Sequence, residues 1–388
     1  MKIAVVTPGI LPVPSVKGGA VETLIDYILE YNECFLNHEI IVYGIDDNKL
    51  SDFNFSNFKK TRFHLFNQQS VIYRLKRKLY SYFNYNYYYN SFLDYFAVAI
   101  RKEISCLQFD VVVVENRPGF ILPLSLCTNA KVVLHLHNDT LDKEAKDAKK
   151  ILDKCAKIFT VSNYIKSKVD TIMPTDKVQI VYNGIDIEKF RNPSLLEINR
   201  SNFGLKDDDF VVVYAGRIEP IKGIKELIEA FLLLSDYEKI KLLIVGGGNG
   251  NNDESEFISE MHKLALSIPE KVIFTGFQSY GKIPSILSLC NMGVIPSICE
   301  DAFPLSCIEN MTIGLPLVVT KSGGIPDAVD EECAIIVEKD SDLVSNLATA
   351  ILELYIDEDR RLKMSTHAKE RSKLFSKEKY ALSFFSNL

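Results

Sequence analysis

Arg217 and Lys222 stand in the stretch Gly216-Arg217-Ile218-Glu219-Pro220-Ile221-Lys222-Gly223, between a β-branched apolar run and a helical pattern. A planar guanidinium and an ammonium converging with a helix N-terminus make a receptor for a diphosphate. Taken alone, the same pair is what any exposed loop displays. A second stretch, Pro296-Ser297-Ile298-Cys299-Glu300-Asp301-Ala302-Phe303-Pro304-Leu305-Ser306-Cys307-Ile308-Glu309-Asn310-Met311, places Asp301 and Glu309 eight residues apart. A loop acid and a helical acid at that spacing can flank one pocket and accept hydrogen bonds from hydroxyl pairs. The alternative is a carboxylate that only stabilises a helix dipole. For Glu309, set among Leu305, Ile308 and Met311, burial without a ligand would be costly.

His135 and His137 close another β-branched run, in Leu134-His135-Leu136-His137-Asn138-Asp139, and strand alternation puts both on one face. A metal pair is one reading, but the sequence offers no third ligand at zinc spacing. Gly18-Gly19 follows the first strand through a Pro-rich loop. Glycine there either lets a backbone N–H approach a phosphate or sugar, or serves only a tight turn. Gly246-Gly247-Gly248-Asn249-Gly250 also follows a strand, yet it fails the GxGxxG spacing, which disfavours a nicotinamide dehydrogenase. Asp207-Asp208-Asp209 precedes a strand start rather than following an end, and reads as a solvated turn.

The elements that must position these residues are short β-branched runs alternating with helical patterns, the signature of parallel sheets with crossover helices. Strands are expected at Ile3–Val6, Glu39–Tyr43, Val111–Val114, Val132–Leu136, Ile158–Val161 and Val178–Val181. A second set is expected at Val211–Tyr214, Lys241–Val245, Val272–Phe274, Gly293–Ile295, Leu317–Val319 and Ala334–Val337. Apolar positions at helical spacing, Val21, Leu24, Ile25, Ile28 and again Ile224, Leu227, Ile228, Phe231, each begin just after a glycine. The fold class is α/β: two Rossmann-like, doubly wound parallel-sheet domains facing across a cleft. The boundary falls at Asn183–Gly184, giving a first domain of 1–184, to which 372–388 return as a helix, and a second of 185–371.

A chain of 388 residues exceeds what one core usually fills, in keeping with two domains. Its net charge of −6 argues against generalised nucleic-acid binding. No apolar run reaches the ~18 residues of a membrane span. The N-terminus is unlike a signal peptide, and the eight cysteines lack metal spacing and read as reduced core thiols. A cytoplasmic protein is expected.

Arg217 with Lys222, Asp301 with Glu309, Val181-Tyr182-Asn183-Gly184-Ile185-Asp186 and Ser322-Gly323-Gly324-Ile325-Pro326-Asp327 together resemble the retaining family 4 glycosyltransferases of GT-B fold. The similarity runs in order from Gly18-Gly19-Ala20 to Phe375-Ser376-Lys377-Glu378. It implies a hexosyltransferase whose second domain binds a nucleotide sugar, UDP-sugar favoured over GDP-mannose, and whose first binds a glycan or lipid-linked acceptor of bacterial surface polysaccharide synthesis. Arg217 and Lys222 would neutralise the diphosphate, with Gly216 beside it, and Glu309 would hold the ribose. Asp301 would touch sugar hydroxyls; the family usually has Glu there, so neighbouring Glu300 is the alternative. Backbone N–H groups of Phe303, Pro304 and Leu305 (Pro304 itself lacking one) would meet sugar or phosphate. Gly18-Gly19 would close over the sugar, and His137 matches a donor-contacting histidine. No metal or other cofactor is implied, because fixed cations serve the diphosphate. The terminal segment would cross back through Tyr380, Leu382, Phe384 and Phe385. Rivals are a catalytically silent GT-B partner subunit, a phosphorylase or a nucleotide-sugar epimerase.

Lys59–Lys102 holds nine basic residues and one acid, +8 against −14 for the rest of the chain. Tyrosines 73, 80, 82, 85, 87, 88, 89 and 95 are interleaved with Arg74, Lys76, Arg77 and Lys78. Ile72, Leu75, Leu79 and Phe83 share one helical face, with Arg74, Arg77 and Lys78 opposite. Such a helix rests on an anionic membrane at the inner face of the cell, or packs its apolar side on the first domain's sheet, or offers tyrosines for acceptor sugars to stack on. Nothing in it resembles a nucleic-acid-binding motif.

Overall fold

The structure, a computed structural model, describes residues 1–83, 91–192, 198–248 and 256–388. It divides into two compact units, Met1–Asn183 with Lys377–Leu388, and Gly184–Ser376.

Among the described residues the first unit has strands β1 (Lys2–Val6), β2 (Glu39–Ile45), β3 (Thr61–Phe66), β4 (Val111–Glu115), β5 (Lys131–Leu136), β6 (Lys157–Thr160) and β7 (Val178–Ile180). All pair in parallel, in the order β3-β2-β1-β4-β5-β6-β7. The central runs are Val- and Ile-rich because helices cover both faces of a parallel sheet. β3 has no counterpart in the sequence reading. It is an edge strand whose Arg62 is exposed and whose Phe63–Phe66 are half-buried, so it lacks a continuous apolar run.

The second unit contains β8 (Phe210–Ala215), β9 (Ile240–Val245), β10 (Val272–Phe274), β11 (Met292–Ile295), β12 (Leu317–Thr320) and β13 (Ala334–Val337), parallel in the order β10-β9-β8-β11-β12-β13. Each sheet starts at its middle and doubles back, one between β1 and β4, the other between β8 and β11. In doubly wound sheets the crevice beyond the strand C-termini at such a reversal is where ligands sit.

The C-terminal helix Lys377–Asn387 completes the first unit's core, where Tyr380, Phe384 and Phe385 pack with Leu24, Ile25 and Ile28. Leu382 does not join them: two residues past Tyr380 on a helix, it faces the opposite way and is exposed. Residues 372–376 stay with the second unit rather than returning with the helix, because Ile185 N–H donates to Phe375 O and Ile185 bridges Ser376. The cysteines are all free, but Cys34 and Cys106 are exposed rather than in the core.

The helix Val71–Phe83 departs from the packed-face reading. Val71, Ile72, Leu75 and Leu79 are each more than half exposed. Contact with the unit is made on the other side, where buried Tyr73 meets Tyr95 edge-on at 4.8 Å. Tyr85, Tyr87, Tyr88 and Tyr89 lie outside the described residues, as do Asn249 and Gly250. Among the described residues no helix is long and apolar enough to cross a membrane.

Candidate active site

In the second unit the residues singled out by spacing gather at the β8/β11 reversal. The loop after β8 carries Gly216, Arg217 and Lys222; the loop after β11 carries Glu300 and Asp301. Gly223 ends the first loop in the left-handed region, φ 72°, and a Cβ there would fall 1.8 Å from Pro296 O, so only glycine lets the loops pack this closely. Ile298 and Cys299 N–H both donate to Ile221 O, fastening one loop to the other. Lys222 Nζ is thereby placed on Asp301 Oδ1, with both side chains largely buried. Ser297 Oγ donates to the other oxygen of Asp301.

Glu300 points elsewhere, to Lys339 Nζ and Gly323 N–H, and is about half exposed. The two acids thus have different partners: Asp301 pairs with Lys222 across the two loops, and Glu300 forms a separate, wetter cluster with Lys339. Arg217 is largely exposed, its Nη1 3.0 Å from Glu219 Oε1. The helix Leu305–Ile313 starts beside Phe303 and Pro304 without a side-chain cap on its first N–H groups, at the positive end of its dipole.

Glu309 on that helix is buried, and Tyr280 OH donates to its Oε1 at 2.9 Å. Burial lifts its carboxyl to about 7, against the opposing pull of the Tyr280 hydrogen bond and the Lys189 charge. The Lys189 ammonium lies 4.6 Å over the Tyr280 ring, and Phe190 packs edge-on against it. The arrangement is an acid held near its ionisation point beneath an aromatic, able to accept from hydroxyls that bring their own donors.

The first unit holds its own group at the C-terminal ends of β1, β4 and β5. Gly18 and Gly19 have positive φ and lead into the helix Ala20–Tyr31; a Cβ at Gly19 would meet Glu22 Oε2 at 2.2 Å, whereas Gly18 borders open space. Glu115, the last residue of β4, is fully buried, 2.9 Å from His137 Nε2 and 3.1 Å from His135 Nδ1. This supplies the third metal-ligand type that sequence spacing failed to show, since Glu115 comes from the neighbouring strand. His137 Nε2 hydrogen-bonds Glu115 Oε2, whereas His135 Nδ1 lies 3.1 Å from the same oxygen outside hydrogen-bond geometry. His137 N–H also donates to Asn116 Oδ1 at 3.1 Å, with Asn116 in the left-handed region at φ 54°.

Residues 18–189 match the family described as Glycosyltransferase Family 4, and 197–371 the family described as Glycosyl transferases group 1. The chain belongs to the group 1, family 4-type glycosyltransferases. Among its relatives, a Bacillus subtilis protein named putative glycosyltransferase YtcC is 26% identical over 95% of this chain and 87% of its own length. The lipopolysaccharide 1,2-N-acetylglucosaminetransferase of Salmonella typhimurium is 30% identical over 59% of each chain. In fold, HepE of Anabaena, solved with UDP, superposes with a TM-score of 0.73 at 18% identity, over 100% of this chain and 99% of that one. Sucrose-phosphate synthase of Thermosynechococcus elongatus gives 0.77 at 20%, over 100% and 98%. Both belong to the two-sheet GT-B architecture.

Several side chains around these residues escaped sequence reasoning. Tyr280, Lys339 and Ser297 complete the acids' hydrogen bonds, and Glu115 completes the histidine pair. The first two lie 29 and 39 residues from the acids they serve, a separation no local periodicity encodes. Glu115 had a local signal, an acid ending an unbroken Val run at the sheet reversal, and a strand boundary extended by one residue would have included it.

Proposed function

We propose that this glycosyltransferase moves a hexose-type sugar, with retention, from a nucleoside diphosphate sugar to a glycan or lipid-linked acceptor in bacterial surface polysaccharide synthesis. A UDP-sugar is favoured over GDP-mannose. The observation that carries the reading is the part-buried Lys222–Asp301 pair, held at the β8/β11 reversal beside the uncapped start of Leu305–Ile313. An ammonium with an uncapped helix N-terminus suits a diphosphate, and the paired carboxylate suits sugar hydroxyls. Glu309 with Tyr280 takes the ribose hydroxyls, and Arg217 swings from Glu219 to the phosphates. Gly18, Gly19 and His137 are assigned to the donor sugar, and the rest of the first unit to the acceptor. The fold neighbours solved with UDP and with UDP-glucose, and the relative named an N-acetylglucosaminetransferase of lipopolysaccharide, support this choice of donor and pathway class.

The C1–O bond to the diphosphate breaks with its electron pair leaving on the phosphate oxygen, and the sugar passes through an oxocarbenium-like state. Lys222 and Arg217 stabilise the growing negative charge by fixed electrostatics, so no metal is called for. The acceptor hydroxyl attacks from the same face and gives its proton to the departing phosphate oxygen.

A mass-spectrometric screen of nucleotide sugars for protein-dependent hydrolysis tests the reading, since slow hydrolysis reveals the donor before the acceptor is known. Release of nucleoside diphosphate from one donor, accelerated by acceptor, is expected. Donor binding without turnover indicates the silent-partner alternative, and free sugar released without any acceptor dependence indicates an epimerase-type reaction.

A second reading concerns the surface. Val71, Ile72, Leu75 and Leu79 form an exposed apolar stripe bordered by Lys76 and Lys78, with Arg74 beyond. Tyr73 and Tyr95 are occupied with each other. We propose that this helix lies in the interface of an anionic membrane, apolar side down, with the lysines at headgroup level.

A further inference from the structure

We propose that Glu115 is a positioning residue for His137: its carboxylate holds the imidazole as the Nε2–H tautomer and leaves Nδ1 to accept a hydrogen bond from a hydroxyl of the transferred sugar. The inference rests on the assignment of His137 to the donor sugar.

An ionised carboxylate has no proton to give, so a ring nitrogen 2.9 Å from Glu115 Oε2 must carry one. In a neutral ring the other nitrogen is then bare. Burial by itself raises the carboxyl of Glu115, but His135 and His137 outweigh it and hold the group well below the usual carboxylate range. Burial, with the neighbouring His135, lowers His137 to about 4, so the ring is neutral through the working range. His137 Nδ1 is buried and has no hydrogen-bond partner among the described residues, so a sugar hydroxyl is what would satisfy it.

The surroundings leave Glu115 this task. His135, on β5 beside it, stacks on Tyr380 of the terminal helix at 6.3 Å and meets Phe384 at a tilt at 5.8 Å, which closes the core side. Glu22 and Asp26 of helix Ala20–Tyr31, with Arg117, are further charged groups near this end of the sheet. Glu115 Oε1 has no partner, so the carboxylate is turned wholly to the histidines through Oε2. A carboxylate at the base of an imidazole sets both its tautomer and its direction, whichever fold supplies the pair.

The test compares full-length wild type with Glu115→Gln, Glu115→Asp, His137→Ala and the Glu115→Gln/His137→Ala double variant. Long-range ¹H–¹⁵N spectra read the His137 tautomer directly, with thermal unfolding as the folding control. The wild type is expected to show Nε2–H from pH 6 to 8, Glu115→Gln a mixture, and Glu115→Asp a return toward the wild type. Hydrolysis of the nucleotide sugar selected by the screen should fall about tenfold or more in Glu115→Gln, and the double variant should be no slower than His137→Ala. An Nδ1–H tautomer in the wild type overturns the proposal even if Glu115→Gln does not fold. So does a slow His137→Ala beside a Glu115→Gln of wild-type rate and tautomer. Wild-type turnover in His137→Ala instead removes the donor-contact assignment itself. Stoichiometric zinc in the purified protein would make Glu115, His135 and His137 a metal site and also overturn the proposal.

Discussion

At the scale of single residues the second unit sets two kinds of acid side by side. Asp301 is ion-paired, whereas Glu309 is buried beside a hydroxyl and lifted to about 7. A carboxylate that must accept ribose hydroxyls binds them ionised, so donor affinity should improve as pH rises through 7 and flatten above 8. In Glu309→Gln that dependence should vanish, and a pH series of UDP binding by calorimetry checks it. Stability runs the other way. Because the folded pKa exceeds the unfolded value of 4.5, the native state binds the extra proton, and stability is lost as pH rises from about 4.5 to 7. Glu309→Gln, still able to accept from Tyr280, should therefore be more stable than wild type at pH 8, by order 1–3 kcal/mol in denaturant titration. For Lys222→Ala the expectation is a loss of turnover of roughly a hundredfold or more, the scale of removing one preorganised charge from a developing oxyanion. Wild-type kinetics in that variant would remove Lys222 from the diphosphate site. Lys222 and Asp301 were legible in the sequence because each follows a β-branched run into a loop, and Glu309 because it interrupts an apolar helical run. Tyr280 and Lys339, the partners of Glu309 and Glu300, were not, because they reach those acids through the fold.

At the scale of elements the sequence displayed every strand of the two sheets but β3, since buried parallel strands read as unbroken apolar runs. β3 does not, because its Arg62 is exposed and Phe63–Phe66 are only half-buried, and Thr61–Phe66 was lost beside a stretch notable for charge and tyrosine. The helix after it shows the opposite limit of periodicity. Its stripe of Ile72, Leu75 and Leu79 was visible, but a moment gives the existence of an apolar face and never its destination. The structure turns that face to solvent. The protein should accordingly co-sediment with vesicles containing phosphatidylglycerol and not with pure phosphatidylcholine vesicles, and the binding should weaken with salt. Replacing Leu75 and Leu79 by Glu should abolish it while leaving soluble-donor hydrolysis unchanged; sedimentation equal to wild type would refute the lipid assignment.

At the scale of the molecule the first unit depends on a helix that sits last in its sequence. Tyr380, Ala381 and Phe384 are almost wholly buried in that unit's core. Phe384→Ala should cost about 3–5 kcal/mol, the range for removing a buried aromatic. The loss should appear in the unfolding transition of the first unit and leave that of the second in place. Equal shifts in both transitions, followed by intrinsic tyrosine fluorescence and backbone circular dichroism, would contradict this division.

That same connectivity makes Gly184–Ser376 an insertion within the first unit, entered and left at adjacent points where Ile185 pairs with Ser376. During synthesis, the whole of the inserted unit emerges before residues 377–388 do. It can close its own sheet on the ribosome while the first sheet waits with one flank of its core, around Leu24, Ile25 and Ile28, still uncovered. The inserted unit can therefore complete its core before the first unit does, although most of the first unit is translated earlier.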